Sequence, residues 1–572
     1  MGGLQLPQQP LDCTEKKQES LSSCVERLDS VITDCGIGDL ISSLCGGLSG
    51  RPLSVAICAA YDEPLHWVAP LVRVLQQVPV VSHLYRILPQ GVSREGKFGW
   101  LKSYYRSKAT NKINQSVQHL IWQSGVPEIS DSANLWQGVP LLGESDNQSI
   151  NVVLCYGAAI APSWVKGLHD VSVLRIAWSA AESEGGLVVG DGVQSVELRR
   201  LLGDIDEVVV DRIVFSIEQR ASAAINAIAP RIGGLVVVVR YLASLSELDV
   251  AIQNNSLEIA LMQTEGGGTK SSELVGVRSY FRAEVDRLVT RIQWRGKALW
   301  WRIGLRQRLA DSPLPQRDGL DGFLWQDAPP GHFWADPFFF ESNGVTWLFF
   351  EDFDAAKGYA VLSVAEVLSG GSLGAVQMVM DLGLHLSYPH VFKVDGEIYM
   401  IPESSAAGTV NLWRATDFPT KWEKVCSLLK LKAVDTTVFL FRDEWWMLTS
   451  PLLGWGHAPI TLLYRANSII GPWSLHRQGI VASDVRNSRC AGAVFQDGER
   501  LIRPSQDCSG MYGRALVFNE IVACNEIEYS ERILQRVEAT IPGLHGVHTY
   551  ARCAAWEAID GRWLVDRHLT WV

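Results

Sequence analysis

Asp336-Pro-Phe-Phe-Phe340, Tyr388-Pro-His-Val-Phe392, Asp435-Thr-Thr-Val-Phe439 and Ala491-Gly-Ala-Val-Phe495 are four copies of one motif, and a weaker fifth runs through Cys553-Ala-Ala-Trp556. A turn follows each copy: Ser342-Asn-Gly344, Val394-Asp-Gly396, Arg442-Asp-Glu444, Gln496-Asp-Gly498 and Ile559-Asp-Gly561. An apolar run comes next, as in Val345-Thr-Trp-Leu-Phe-Phe350 or Glu397-Ile-Tyr-Met-Ile401. Strand, tight turn, strand is a hairpin signature. The starts step by 52, 47, 56 and 62 residues, and a period near ~50 marks a toroidal or solenoidal repeat. Five such units predict a five-bladed, all-β propeller of about four strands per blade, spanning 322–572.

The innermost strands of a propeller line its central channel, so equivalent positions converge on the axis. Asp336 and Asp435 hold the same register in the first and third copies and are expected to face one another across a funnel. Glu403 closes the second hairpin, in Met400-Ile-Pro-Glu403, and Asp507 closes the fourth, in Arg503-Pro-Ser-Gln-Asp507. Grouped acids are the material of glycoside chemistry: one carboxyl protonates a leaving oxygen while another activates water or attacks the anomeric carbon. Crowding splits their pKa values and so assigns the two roles. Asp336, Asp435 and Glu403 are the catalytic candidates. The competing reading is structural, because acids at strand starts also bond backbone amides. His390 shares a strand face with Tyr388. With Trp334, Arg503, Gln506, Asp507 and His548 it completes the candidate substrate-binding set. No metal-ligand spacing is present, and no cofactor is expected.

The rest of the chain sets the context. At 572 residues it has room for two or three domains of ~150 residues. A net charge of −11 leaves no basic footprint for nucleic acid. Twenty-one Trp suit a propeller core, and exposed Trp also stacks on sugars. The eleven Cys form no CxxC pair, which fits a reducing compartment. Residues 1–50 form a variable, Cys-dotted leader with one amphipathic helix expected around 21–41 and no secretory h-region. In 51–270, predicted strands at 53–58, 78–84, 150–155 and 171–177 alternate with helices near 66–77 and 164–168, which argues for an α/β layer with a mostly parallel sheet. The apolar run Gly233-Gly-Leu-Val-Val-Val-Val239 reads as a further buried strand. Residues 271–321 read as a basic helical connector ending at Pro313-Leu-Pro315, with Arg and Lys from 278 to 308 interleaved with Trp. Such a segment can rest on an anionic membrane surface. A cytoplasmic protein at the inner membrane face is the expectation.

Phe333-Trp-Ala-Asp-Pro-Phe338, Leu386-Ser-Tyr-Pro-His390, Met400-Ile-Pro-Glu-Ser404, Ala433-Val-Asp-Thr436 and Arg503-Pro-Ser-Gln-Asp-Cys508 resemble a bacterial and plant propeller family, the glucosamine inositolphosphorylceramide transferase-like proteins. The resemblance covers about 325–560. In the plant proteins the label implies sugar transfer to a sphingolipid head group by a separate glycosyltransferase domain, and nothing in this chain looks like that domain. The propeller is also similar to five-bladed glycosidases of the arabinanase and invertase type. That similarity implies Asp336 as base or nucleophile and Asp435 as modulator or stabiliser. The acid of the arabinanase pattern would fall near Cys490-Ala-Gly-Ala493, which has none, leaving Glu403 of another blade as the substitute. Residues 53–265 resemble a Rossmann-like formyltransferase-like domain. Where its His should follow the strand near 171, this chain reads Arg175-Ile-Ala-Trp-Ser179. No His-x-x-x-Leu-Pro loop is present. The resemblance implies a degenerate domain kept for binding or scaffolding, with Asp191 as a remaining acid.

The expected function is that of a carbohydrate-active protein, of glycosyltransferase or glycoside-hydrolase type if it is an enzyme. Its funnel would bind, and transfer or cleave, a glycosyl unit of a surface-polysaccharide or glycolipid precursor, with a nucleotide sugar as one further ligand. Two alternatives stand beside it: a non-catalytic glycan-binding scaffold, and a formyl or acyl transferase acting through the N-terminal domain.

Overall fold

In the computed structural model the chain divides into two compact units, one drawn from Lys16–Arg287 and the other from Leu288–Val572. The structure describes 295–308, 320–452 and 458–566 of the second. Of the first it describes short stretches, chiefly 53–58, 71–72, 74–76, 81–87, 150–156, 172–178, 193–201, 207–216 and 233–244. The expected leader helix, the helix at 164–168, Asp191, residues 278–294 and Pro313-Leu-Pro315 lie outside the described residues, Leu40 and Leu44 of the leader excepted.

The first unit holds a six-stranded sheet in the order Val81–Ile87, Leu53–Cys58, Val152–Tyr156, Ser172–Trp178, Val193–Leu201, Glu207–Ser216. The first four strands are parallel, and the last two are added by antiparallel pairings, so that only Val193–Leu201 runs against the rest. Val55, Ile57, Val152, Leu154 and Leu174 are buried, as strands covered on both faces require. Residues 233–244 are helical, which corrects the strand expected at Gly233–Val239. That run is buried throughout. With apolar neighbours all round, neither a 2-residue nor a 3.6-residue period shows in the sequence.

The second unit is a five-bladed propeller, each blade a four-stranded antiparallel sheet. Blade 1 is His332–Ser342, Val345–Asp354, Tyr359–Glu366 and Gln377–Met380. Blade 2 is Ser387–Val394, Glu397–Glu403, Val410–Asp417 and Lys421–Leu429. Blade 3 is Ala433–Phe441, Glu444–Pro451, Thr461–Ala466 and Ser474–Ala482. Blade 4 is Phe495–Asp497, Arg500–Asp507, Ala515–Cys524 and Tyr529–Glu538. Blade 5 runs Leu544–Arg552, Trp556–Asp566, Lys297–Gln307 and Leu324–Trp325. Inner strands such as Ala433–Phe441 are buried nearly end to end, whereas the outer Lys421–Leu429 is largely exposed.

Apolar layers between blades hold the ring. Phe349 and Leu362 of blade 1 share a core with Tyr388 of blade 2 and Trp446 of blade 3. Phe518 of blade 4 packs with Val547 and Tyr550 of blade 5, and Ile303 and Leu305 of blade 5 with Leu348 and Phe350 of blade 1. Each such side chain contributes ~1.5–3 kcal/mol by leaving water.

Blade 5 departs from the expected pattern twice. Cys553–Trp556 is the hairpin turn and not a strand start, with Cys553 N–H donating to Trp556 O at 2.9 Å. Asp560 and Gly561 consequently lie inside the strand Trp556–Asp566. Lys297–Gln307, expected within a helical connector, pairs along its whole length with that same strand and closes the ring. Trp301, Ile303 and Leu305 are buried at a period of two, the mark of a strand. The Arg302 and Arg306 spacing mimics a helix face. Arg302 pairs with Asp327 at 3.4 Å, Arg306 with Glu557 at 2.7 Å, and Arg308 donates to Cys553 O at 2.6 Å. Arg306 and Arg308 of the expected membrane-facing segment are thus paired within blade 5, whereas Arg302 pairs at the surface with a largely exposed Asp327. No helix among the described residues is long and apolar enough to cross a membrane.

Candidate functional site

Four of the five inner strands carry a bulge, that of blade 4 being the exception. Pairing slips between Ala335 and Phe338, Ser387 and His390, Val434 and Thr437, and Val547 and Tyr550. The first residue of the slip is Asp336, Tyr388, Asp435 or His548. The first three have left-handed φ values of 50°, 46° and 51°, a conformation that costs a non-Gly residue ~1–3 kcal/mol. Bulges re-aim side chains, and here they turn two aspartates onto the wall of an axial cavity.

That cavity has a volume of about 280 Å³ and is lined by Asp336, Glu351, Glu403, Asp435, Arg489 and His548, together with His385, Trp301, Phe333 and Tyr512. The structure thus brings together Asp336, Asp435, Glu403 and His548. Five other expected residues stand elsewhere. His390 is buried, its Nδ1 accepting the Val438 N–H at 3.4 Å beside the Phe338 ring. Arg503 is locked to Glu531 at 2.5 Å, Asp507 is paired with Arg536, and Trp334 packs on Phe350 in the core. All four are buried on the faces of their sheets and not on the cavity wall, since successive side chains of a strand point to opposite faces. Gln506 stands behind the wall and donates to Asp435 Oδ2 at 3.2 Å and Cys490 O at 2.9 Å.

Glu351, Arg489, His385, Trp301 and Tyr512 were not among the expected residues. Glu351 had a legible signal. It lies seven residues after its turn glycine, Gly344, as Glu403 does after Gly396, and the pairs Ala335↔Glu351 and Ser387↔Glu403 occupy the same register. Arg489 supplies the blade 4 charge two residues before the acid-free Ala491-Gly492.

The acids also tie neighbouring blades together. Asp560 accepts the Asp336 N–H at 2.9 Å, Asp336 accepts the Tyr388 N–H at 3.2 Å, and Glu403 accepts the Asp435 N–H at 3.3 Å. Asp336 Oδ1 accepts the Thr549 hydroxyl at 2.6 Å, and Asp435 Oδ2 the Arg489 Nε–H at 2.6 Å. Asp336 and Asp435 are only 5% and 2% exposed. The structural reading of these acids is therefore real as geometry, and it coexists with their place on the cavity wall.

Burial and crowding split the carboxyls electrostatically. Burial raises Asp336 to about 6; His548 opposes the rise, while Asp560 and Asp435 add to it. Burial, then the Asp435 charge, raises Glu403 to about 8 against the pull of Arg489. Burial, then Asp336 and Glu403, holds Glu351 well above the carboxylate range. Burial disfavours a charge on His548, but Asp560 and Asp336 outweigh it and raise its pKa. Its Nδ1 lies 2.6 Å from Asp560 Oδ1 and its Nε2 3.6 Å from Asp336 Oδ1, and its ring stacks on Trp301 with centroids 4.0 Å apart. Asp336 therefore ionises first, at about 6, and Glu403 holds its proton to about 8. Asp336, His548 and Asp560 also offer ligand atoms within 4.8 Å of one another, enough to hold a cation.

Residues 324–544 match the family model described as glucosamine inositolphosphorylceramide transferase 1, N-terminal. The glucosamine inositolphosphorylceramide transferase 1 of Oryza sativa subsp. indica is 35% identical over 208 residues, which are 35% of this chain and 28% of the relative. That of Arabidopsis thaliana is 31% identical over 208 residues, 35% of this chain and 27% of the relative. The chain thus spans little more than a quarter of the length of these curated relatives. Among solved structures, exo-beta-1,3-galactanase from Phanerochaete chrysosporium is 14% identical at a TM-score of 0.31, over 38% of this chain and 58% of that one. Cellvibrio cellulosa alpha-L-arabinanase is 13% identical at 0.27, over 37% and 78%. Likenesses this slight carry no argument about the site. Over 324–544, the propeller of this chain is similar in sequence to the glucosamine inositolphosphorylceramide transferase 1 N-terminal family.

Proposed function

We propose that the propeller cavity binds one glycosyl unit of a surface-polysaccharide or glycolipid precursor and transfers or cleaves it by acid–base chemistry. The observation that carries this reading is the split pair on one wall: Asp336 near 6 and Glu403 near 8. Carboxyls with pKa values pushed apart in a shared cleft are the usual acid and base of a carbohydrate-active site. Ionised Asp336 serves as base or nucleophile, and a protonated glutamic acid of the wall, Glu403 or Glu351, supplies the proton; burial and then the Asp435 charge favour the protonated form of Glu403. About 280 Å³ stands at the small end of ligand pockets, ~300–1,000 Å³, which suits a terminal sugar better than a threaded polymer. The names of the relatives agree with glycosyl chemistry. The test is a binding screen of glycans and nucleotide sugars on the wild type and Asp336→Asn. A ligand held by the wild type and lost by the variant supports the proposal. Ligands held equally by both overturn it.

A second reading, a non-catalytic glycan-binding scaffold, is favoured by one observation: Asp336, Glu403 and Asp560 each accept a backbone N–H of the next blade. It expects glycan binding unchanged in Asp336→Asn, with a loss of stability alone. Formyl or acyl transfer by a Rossmann-like first unit has only the parallel order of four strands behind it. That reading needs a cofactor-sized cleft near Tyr156, where one of those strands ends, and loss of activity when that cleft is blocked tests it.

A further inference from the structure

Glu351 differs from every other acid of the cavity. Asp336, Asp435 and Glu403 each accept at least one hydrogen bond from a neighbouring blade. No described residue hydrogen-bonds the Glu351 carboxyl, although its side chain is only 9% exposed and lines the cavity. A buried carboxyl met only by His385 Nε2 at 3.5 Å is costly unless something else meets it, and the cavity is where that further partner would stand.

His385 fixes how Glu351 presents itself. His385 Nε2 faces Glu351 Oε1 at 3.5 Å, while His385 Nδ1 accepts the Ala360 backbone N–H at 3.2 Å. An imidazole that accepts at Nδ1 carries its proton on Nε2, so the N–H points at Glu351 Oε1. That leaves the carboxyl proton to Oε2. The His385 side chain is 46% exposed, so it also marks the side on which the cavity meets solvent. The charges bearing on Glu351 are Asp336 of the inner strand of blade 1, Asp560 of blade 5 and Asp352 beside it, with Glu403 of blade 2 adding to them only when it ionises. All are acids, and all favour the neutral carboxyl.

We infer that Glu351 is the group that hands a proton to the bound glycosyl ligand, with His385 as the positioning residue that turns its O–H into the cavity. The inference rests on the acid–base reading above and deepens it. As the Asp336 carboxylate, or a water or acceptor hydroxyl that gives its proton to Asp336, bonds to the anomeric carbon, the bond from that carbon to the leaving oxygen breaks, and that oxygen keeps the electron pair and takes the Oε2 proton. Glu351 is left as a carboxylate and regains a proton from solvent at the His385 side. Glu403, whose Oε2 accepts the Asp435 N–H, then acts as a neutral neighbour that holds the local charge down.

The experiment compares turnover of methyl glycosides, whose leaving oxygen needs a proton, with 4-nitrophenyl glycosides, whose leaving oxygen needs none. Glu351→Gln is expected to slow the methyl series ~100-fold or more beyond any effect on the 4-nitrophenyl series, and Glu403→Gln to slow both alike. His385→Ala is expected to behave as a weaker Glu351→Gln, with His385→Gln restoring part of the loss. Leaving-group dependence in Glu403→Gln and none in Glu351→Gln overturns the assignment. Carbon-13 NMR of labelled glutamate side chains separates this outcome from failure of the glycosyl reading. The resonance missing in Glu351→Gln is expected at the protonated position at pH 7 even if no glycoside turns over. A signal at the ionised position overturns the inference directly.

Discussion

Arg489 donates its Nε–H to Asp435 Oδ2 at 2.6 Å, and the two charges are shut in together on the cavity wall with side chains 10% and 3% exposed. The pair joins blade 3 to the stretch leading into blade 4, and the Tyr512 ring lies under the guanidinium at 5.0 Å. Removing one partner of a buried pair strands the other charge, at a cost of ~3–5 kcal/mol. Arg489→Met is therefore expected to lower stability by about that much in chemical denaturation. Asp435→Asn in the same chain is expected to recover part of the loss, since the two sites are coupled. Additive losses would show that the pair does not act as a unit.

Stability is expected to fall as pH rises from 5 to 9. Asp336 and Glu403 have folded-state values of about 6 and about 8 against ordinary values of 3.8 and 4.5. A group whose folded pKa is raised contributes stability that is complete below its unfolded pKa and is lost as pH climbs through its folded pKa. His548, also raised, acts in the same direction. Melting temperature followed across pH checks this. Glu403→Gln is expected to flatten the descent between its ordinary 4.5 and about 8, and Asp336→Asn the part that ends at about 6. A melting temperature that rises over this range would contradict the burial of both acids.

The parts of the site that were legible in the sequence are those the repeat marks in register. Asp336 and Asp435 open matching copies, and the bulge that aims them is a property of the motif. Glu351 shares the offset of Glu403 but ends an apolar run, Leu348-Phe-Phe-Glu351, that reads as core. Arg489 precedes its copy and carries no repeat signal, so only the ring geometry reveals it. His390, Arg503 and Asp507 are charged or polar yet are buried on the faces of their sheets and not on the cavity wall, because a one-residue change of register swaps the faces of a strand. The propeller was legible for the same reason except in blade 5: the weak fifth copy is a hairpin turn, and the closing strand comes from before the first copy, where no local pattern tells a strand that its partner is about 250 residues away.

Gly492 is a position where no other residue fits. Its φ is +129°, and an added Cβ would lie 2.0 Å from Tyr550 O of blade 5. Its N–H donates to the Tyr388 hydroxyl at 2.7 Å, which ties blade 4 to blade 2 across the axis. Gly492→Ala is expected to destabilise the propeller by on the order of 3 kcal/mol, from backbone strain and overpacking together. Tyr388→Phe, which removes only the hydroxyl, is expected to cost ~1 kcal/mol. Equal effects of the two variants would mean that the hydrogen bond, and not the close approach, makes glycine necessary.

The closing strand gives the sharpest test of the architecture. Trp556–Asp566 pairs on one side with Leu544–Arg552 and on the other with Lys297–Gln307. A chain of residues 288–572 keeps both partners, whereas a chain of residues 322–572, the boundary suggested by the repeat alone, loses the second. The shorter chain would expose the edge of Trp556–Asp566 and strip Ile303 and Leu305 from the layer they share with Leu348 and Phe350. An open, apolar edge strand invites pairing with other chains. The longer chain is expected to unfold in one cooperative transition as a soluble species, and the shorter to aggregate or to lose that transition. Size-exclusion chromatography and calorimetry of the two distinguish these outcomes. A cooperative, monomeric 322–572 would show that Lys297–Gln307 adds a strand to the ring without being needed to close it.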